Sequence, residues 1–254
     1  MPPEPRLGRP QLTSCLGHCL TIFLALTGVR VSAEPAGLAP GAVATDVAKD
    51  PLDAFFDSIR TDRVDLVRRW MERGMDVNSF DVKGDPILLI AVRHGSTRVI
   101  SFFLTVKNVR VDISSRMGET PLMIAALRGD LSTARRLVEL GAQINREGWT
   151  PLHYAATGGH VPMTRWLLEQ SAYIDAESPN RTTPLMMAAR QGRTNVVELL
   201  MEEGADPTVR NEAGLVVADY LERSGHLDLA RRADVAARAF RKQHDLPPEI
   251  REPQ

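Results

Sequence analysis

The sequence predicts an all-α solenoid of about six stacked helix-turn-helix units with short hairpin finger loops. One observation is a recurring segment, found in residues 84–91, 118–125, 148–155 and 181–188, with a degraded copy in 214–221. A second is a turn residue that recurs at spacings of 33, 34, 30, 33 and 33 residues, at Asp62, Gly95, Gly129, Gly159, Gly192 and Gly225. Such units are too small to bury their apolar faces alone, so they stack on their neighbours.

A single unit shows why each repeat is expected to form two short helices. Thr120 supplies a capping hydroxyl, and Pro121 is favoured in the first helical turn. Apolar residues then share one face of this helix until Gly129 ends it. Apolar side chains at three- and four-residue spacing in 131–138 predict the second helix, and Gly141 is its expected C-terminal cap.

A third landmark closes the units, in residues 73–78, 140–145, 170–175 and 203–206. The span from Gly95 to Ser114 is 19 residues, against 16 in the following unit, which predicts a longer connection at residues 105–110. The span from Asn145 to Gly148 is only 3 residues, against 6 in the first unit, so this finger loop is expected to be shorter.

The end units depart from the pattern in ways that suit caps. The first has Asp62 in place of the turn glycine and lacks Thr-Pro, but it keeps apolar anchors at Phe55, Phe56 and Trp70. The last begins with Val216 in place of the threonine and has a long, Arg-rich second helix over about residues 227–242. Arg181 stands where glycine is usual, which leaves open whether the chain makes a left-handed turn there.

These residues resemble the ankyrin repeat, whose pattern joins a turn, Thr-Pro-Leu-His-x-Ala, a second turn and a Leu-rich helix. The resemblance covers about residues 50–243 and is specific, because several landmarks recur in register over six units. It implies structural hydrogen bonds for His153 and His160, which stand at the histidine positions of the pattern. It also implies a protein-binding module without catalytic activity.

The N-terminal segment has the composition of an export signal. Arg6 and Arg9 precede a mostly apolar stretch at 12–26, and small residues at 31 and 33 match a cleavage site after Ala33. An uncleaved membrane anchor is the alternative; cleavage would leave no stable anchor. Both cysteines lie within residues 1–33, so the mature chain would be cysteine-free, which suits an oxidising compartment. The predicted divisions are 1–33 signal peptide, 34–49 flexible linker, 50–243 repeat domain and 244–254 flexible tail.

Composition and motifs exclude several classes of function. With 31 Lys and Arg against 32 Asp and Glu, the chain is not a polybasic nucleic-acid binder. Two cysteines make neither a disulfide framework nor a four-cysteine zinc module. Metalloprotease, nucleophile-elbow and phosphate-loop motifs are absent from the sequence. The sequence therefore predicts a non-enzyme without metal or cofactor.

The resemblance places the binding surface on the concave face, formed by finger tips and by exposed positions of each first helix. The corresponding candidate residues are Ile90, Arg93, Ile124, Leu127, Arg128, Trp149, Tyr154, Thr157, Met187, Arg190, Gln191, Tyr220 and Arg223. Arginine recurs at one helix position in four units, at Arg60, Arg93, Arg190 and Arg223, with Arg128 one residue further along. Such a row would suit an acidic partner segment, since Arg pairs bidentately with carboxylates; a solvated helix face is the alternative.

A central cluster of Trp149, Tyr154 and Met187 lies beside the shortened finger. Exposed Trp and Tyr are typical interface anchors, although Trp149 packing over a neighbouring finger is an equal alternative. Trp70 and Trp166 stand at apolar positions of second helices and are expected in the core.

The chain looks like exported, periplasmic ankyrin-repeat proteins of Gram-negative bacteria. The sequence thus predicts a periplasmic or secreted module that binds a protein partner, with a periplasmic stress-related enzyme as one candidate. Two alternatives stay open: a secreted effector that docks on a host protein, and a binder of an anionic small molecule through the arginine row.

Overall fold

A computed structural model describes residues 51–247, which form twelve α-helices and, within that range, no β-strand beyond one isolated bridge between Phe80 and Pro86. The first helices of the six units are α1 Pro51–Arg60, α3 Ile87–His94, α5 Pro121–Arg128, α7 Pro151–Gly158, α9 Pro184–Arg190 and α11 Val217–Arg223. The second helices are α2 Val64–Glu72, α4 Thr97–Phe103, α6 Leu131–Glu139, α8 Val161–Glu169, α10 Thr194–Glu202 and α12 Leu227–Gln243. The predicted signal peptide, linker and most of the tail lie outside the described residues.

Each first helix contacts the first helix of the next unit, from α1 through to α11. The faces that meet are the predicted ones: Leu122, Ala125, Ala155 and Ala188 have no exposed surface. Alanine is required there because the small side chain lets two short helices approach closely. The all-α solenoid of helix-turn-helix units is therefore confirmed.

The Thr-Pro pairs act as helix starts, as predicted. The Thr120 hydroxyl accepts a hydrogen bond from the Met123 amide at 3.3 Å, and Pro121 stands in the first turn. Gly129 ends this helix with φ at +69°, in the left-handed region that glycine adopts without steric cost. In the last unit, Val216 replaces the threonine. There the Asp219 carboxylate caps the helix instead, by accepting a hydrogen bond from the Val216 amide at 2.8 Å.

Arg181 and Asp62 are two of the five non-glycine residues within 51–247 that adopt the left-handed conformation. Arg181 has φ at +60°, which settles the turn that the sequence left open, and its guanidinium makes two hydrogen bonds to Glu177 at 3.0 and 3.2 Å. Asp62 has φ at +56°, and its carboxylate accepts the backbone amides of Arg98 and Val99 at the start of α4. Asp62 thus joins the first unit to the second.

A repeated side-chain hydrogen bond locks successive units in register. Asn78, Asp112, Asn145 and Asp175 each accept a backbone amide from the next unit, at 2.8 to 3.0 Å. Asp112, and not Ser114, is therefore the residue of the second unit that matches Asn145. The predicted longer connection is present, because residues 104–111 separate the end of α4 from Asp112, whereas only 140–144 separate the end of α6 from Asn145. The span from Gly95 to Asp112 is 17 residues, one longer than its equivalent, because α4 ends early.

The first unit is anchored by aromatic side chains, as predicted. Phe55 is completely buried, Phe56 is 7% exposed, and the Trp70 ring meets Phe55 edge-on with 5.9 Å between ring centroids. Trp166 is buried at 6% exposure and lies under the Arg135 guanidinium. Trp70 is only half-buried, so it packs against the core at its edge, through Phe55, and not within the core as expected.

Candidate partner-binding surface

Five of the predicted concave-face residues are buried and are not available to a partner. Their exposed fractions are 8% or less, for Ile90, Ile124, Leu127, Thr157 and Met187. The expectation that these positions are exposed is wrong for a physical reason: neighbouring first helices pack so closely that apolar side chains there fill the seam between units. Thr157 is satisfied internally, since its hydroxyl donates to the His153 carbonyl at 2.8 Å.

Arg93 is held inside an ionic network. Its guanidinium donates to Asp85 at 2.5 Å and to Glu119 at 2.9 Å. The Glu119 side chain is only 8% exposed and also accepts the Tyr154 hydroxyl at 3.3 Å. Asp85 and Glu119 directly precede the starts of helices α3 and α5, so Arg93 ties two neighbouring finger loops together.

The other arginines of the first half are also engaged. Arg60 pairs with Asp57 at 3.3 Å, one turn earlier on the same helix. Arg128 donates to the Arg93 carbonyl at 2.9 Å. His160 and Arg193 make the corresponding inter-unit bonds further along, to the carbonyls of Leu127 and Thr157. Arg128 thus connects two units through a backbone carbonyl, whereas Arg60 and Arg93 pair with carboxylates.

Arg190 and Arg223 differ, because neither guanidinium has a hydrogen-bonding or ionic partner within residues 51–247. They occupy equivalent positions in two adjacent units, two residues before Gly192 and Gly225. Arg190 is half-buried and Arg223 is exposed. The arginine row is therefore open to a ligand only in its second half.

The remaining candidates flank this open region or the network. Gln191 is half-buried beside Arg190, and the Tyr220 hydroxyl accepts a hydrogen bond from Asn211 at 2.7 Å. Trp149 is half-buried, and its ring meets His153 edge-on with 5.2 Å between centroids. The predicted cluster of Trp149, Tyr154 and Met187 is thus only partly accessible, because Met187 is 1% exposed.

His153 is a fully buried structural residue. Its Nε2 donates to the Thr182 carbonyl of the next unit at 2.9 Å, and its Nδ1 accepts the Thr150 amide at 3.2 Å. The neutral tautomer with its proton on Nε2 can make both hydrogen bonds, because Nε2 then donates to the carbonyl and Nδ1 is free to accept from the amide. Burial lowers the pKa of His153 to about 4, so the ring is neutral at pH 7.

The finger loops contain a signal that the sequence reasoning missed. Four loops share one hairpin in which a short polar residue, three positions before the left-handed turn residue, folds its side chain back onto the loop amides. These residues are Asp81, Ser115, Ser178 and Asn211. An Asp, Ser or Asn at that fixed offset would have identified them. In the shortened loop Asn145 stands at the same offset from Gly148, but its side chain bonds the backbone of Ser171 and Tyr173 in the next unit and not its own loop amides.

The described chain shows no group of three or more His, Cys, Asp or Glu side chains placed to hold a metal ion. None of its helices within residues 51–247 is long and apolar enough to cross a membrane.

Stacked helix pairs joined by hairpin loops, with a row of side chains along the first helices, define a repeat scaffold of the kind that binds other proteins. The family model for ankyrin repeats matches residues 56–147 and 143–211, more than half of the chain. The chain belongs to the ankyrin-repeat family. Such repeats indicate a protein–protein interaction module, a class that is generally non-catalytic.

Individual relatives are similar over the same region. An ankyrin repeat-containing protein of Treponema pallidum (strain Nichols) is 25% identical over 65% of this chain and 46% of its own length. The nuclear factor NF-kappa-B p105 subunit of Gallus gallus is 29% identical over 61% of this chain and 16% of its own length. The chain thus spans less than half of the curated relatives it matches.

Proposed function

We propose that this chain is an exported module that binds a partner protein through the concave face of its last units. The observation that carries the proposal is the pair Arg190 and Arg223, whose guanidinium groups have no partner in residues 51–247 and stand one repeat apart. A guanidinium presents a planar fork of donors that matches a carboxylate. The partner segment would therefore carry carboxylates at a spacing set by the stacking of the two units.

The contrast within the arginine row supports this assignment. Arg60, Arg93 and Arg128 are each used by the fold, and removing them would disturb a salt bridge or an inter-unit hydrogen bond. Arg190 and Arg223 serve no such purpose in the described chain. Gln191 and the Tyr220 ring lie next to them and add hydrogen-bonding and aromatic surface of the kind enriched at interfaces.

The binding test compares the full chain with a groove variant and a matched control after crosslinking in cells. The groove variant is Arg190→Ala with Arg223→Ala, and the control is Arg69→Ala with Arg98→Ala, two exposed arginines on second helices. A partner recovered with the native chain and the control, but lost with the groove variant, supports the proposal. Recovery with all three would remove the concave face as the binding site.

Export is tested separately by fractionation and by the N-terminus of the recovered protein. The proposal predicts a periplasmic protein that begins at Glu34, and a variant with Ala33→Trp that keeps its N-terminal segment, because cleavage requires a small residue there. A full-length protein in the cytoplasm would refute export. Processed protein in the medium would favour an effector that acts on a host protein.

The anionic small-molecule alternative uses the same arginines, so a thermal-shift screen distinguishes it. A ligand that binds only the folded state raises the melting temperature, and the rise grows with the logarithm of the ligand concentration above the dissociation constant. A rise with an anionic metabolite that disappears in the Arg190→Ala, Arg223→Ala variant would replace the protein partner by a small molecule.

A further inference from the structure

The first two complete finger loops carry an unusual concentration of exposed apolar side chains. Phe80 and Val82 on the first loop are 49% and 88% exposed, and Met117 on the second is 56% exposed. They make up three of the nine large apolar side chains that are exposed within residues 51–247. Clusters of this kind on a folded protein mark interaction surfaces, whereas isolated exposed apolar residues do not. We call these three residues, with Lys83 and Arg116, the fingertip patch.

The two loops of the fingertip patch are in direct contact. The Arg116 side chain crosses from the second loop onto the first, so that a Cβ added to Gly84 would lie 2.5 Å from Nε of Arg116. Gly84 also has φ at +82°, which excludes a larger residue for a second reason. The two loops that carry the patch therefore meet where Arg116 lies over Gly84.

The base of this surface is fixed before any partner arrives. Arg93 bridges Asp85 at the end of the first loop and Glu119 at the end of the second. Each loop is also closed by its own hairpin, through Asp81 in the first and Ser115 in the second. A preorganised surface loses little conformational entropy on binding, which favours affinity.

The charge of the fingertip patch is positive. Lys83 and Arg116 are exposed and have no hydrogen-bonding or ionic partner within residues 51–247. The carboxylates of the same loops are less accessible: Asp81 is half-buried and accepts two loop amides, and the Asp85 and Glu119 side chains are 15% and 8% exposed and share Arg93. The exposed charged side chains of the two loops are therefore the cations Lys83 and Arg116, beside the apolar side chains.

We infer that the fingertip patch docks a partner segment in which apolar side chains are flanked by Asp or Glu. The apolar side chains of the segment contact Phe80, Val82 and Met117, and its carboxylates pair with Lys83 and Arg116. This inference rests on the proposed function only in taking the partner to be a protein, because its residues lie on different units from Arg190 and Arg223.

The test selects peptides from a random 12-residue phage library on the immobilised full chain. The native chain is expected to enrich sequences with Asp or Glu beside Leu, Ile or Phe. A Lys83→Glu, Arg116→Glu variant is expected to enrich Lys and Arg instead, because reversed charges at the rim reverse the preference. A library without compositional bias, or the same bias from both proteins, would overturn the inference.

Affinity measurements on one enriched peptide test the apolar half of the patch. We expect at least tenfold weaker binding to a Val82→Ser, Met117→Ser variant. Two controls are expected to bind within twofold of the native chain: Leu140→Ser with Tyr173→Ser, which removes exposed apolar side chains elsewhere, and the Arg190→Ala, Arg223→Ala variant. Equal binding to all variants would overturn the assignment.

The oligomeric state decides whether a second copy occupies the patch. If the native chain forms dimers that the Val82→Ser, Met117→Ser variant does not, the patch is a self-association surface and the inference is wrong. If crosslinking in cells recovers a partner that depends on Arg190 and Arg223, but peptide selection enriches no sequence, this inference is wrong and the proposed function is supported. If capture fails while peptide selection succeeds, only the proposed function falls.

Discussion

The buried imidazole of His153 makes a defined contribution to the pH dependence of stability. Its pKa is about 4 in the folded chain, against an ordinary value of 6.5. Below pH 6.5 the unfolded chain binds a proton that the folded chain excludes, so stability falls as the pH is lowered towards 4. Above pH 6.5 both states are neutral at this residue, and the effect vanishes. Linkage gives a loss of about 2 kcal/mol between pH 7 and pH 5.

The matched variant is His153→Met, because Met123 and Met186 occupy the same position in the neighbouring units. The Met123 sulfur accepts the Thr120 amide at 3.4 Å, so methionine is compatible with this helix start. At pH 7 the variant loses the hydrogen bond to the buried Thr182 carbonyl, at a cost of about 1–3 kcal/mol. It has no titrating group at this position.

The assay is urea unfolding of the native chain and the variant at pH 7 and pH 5. Contributions from all other titrating groups cancel in the difference between the two proteins. The account predicts that the native chain loses about 2 kcal/mol more than the variant over this interval. Equal losses would refute the reasoning, since they would mean that the folded protein accommodates the protonated ring.

Three further substitutions test the packing of the units, each by urea unfolding at pH 7. Arg93→Ala should lower the free energy of unfolding by about 1–3 kcal/mol, because it leaves the nearly buried Glu119 carboxylate without its ionic partner. The control Arg223→Ala should change the free energy of unfolding by less than about 0.5 kcal/mol. Equal effects would mean that the network of Arg93 contributes nothing to stability. Asn145→Ala should cost about 1–2 kcal/mol by removing two inter-unit hydrogen bonds of 2.8 Å, and Asn145→Asp should cost less, because Asp fills this role in two other units. Ala155→Leu should cost about 1–3 kcal/mol by overpacking a fully buried position, while Ala239→Leu on an exposed helix face should be nearly neutral.

The repeated architecture was predictable because each landmark has a local physical cause. Thr120 and Pro121 start a helix, Gly129 ends it, and alanines mark where helices approach closely. The register of the second unit was not predictable from spacing alone, because Asp112 and Ser114 are both plausible polar residues and only the inter-unit hydrogen bond distinguishes them. An alternative register changes the apparent loop length by two residues.

The binding surface was less predictable, because exposure depends on neighbours that are distant in sequence. Ile90 and Arg93 lie one turn apart on the same helix, yet packing against the next unit buries the first and leaves the second half-buried. Arg93 and Arg190 are the same residue type at equivalent positions, but their surroundings differ. Arg93 meets carboxylates that stand just before two helix starts, whereas the last units have Thr182 and Leu215 at those positions.

The most direct test of the concave-face assignment places a photo-reactive amino acid at Gln191, beside Arg190, and separately at Arg69 on a second helix. Both proteins keep the Arg190 and Arg223 side chains and are irradiated in the cells that produce the chain. The account predicts a crosslinked partner from position 191 and none from position 69. A crosslink from position 69 alone, or from neither position, would contradict binding through the concave face of the last units.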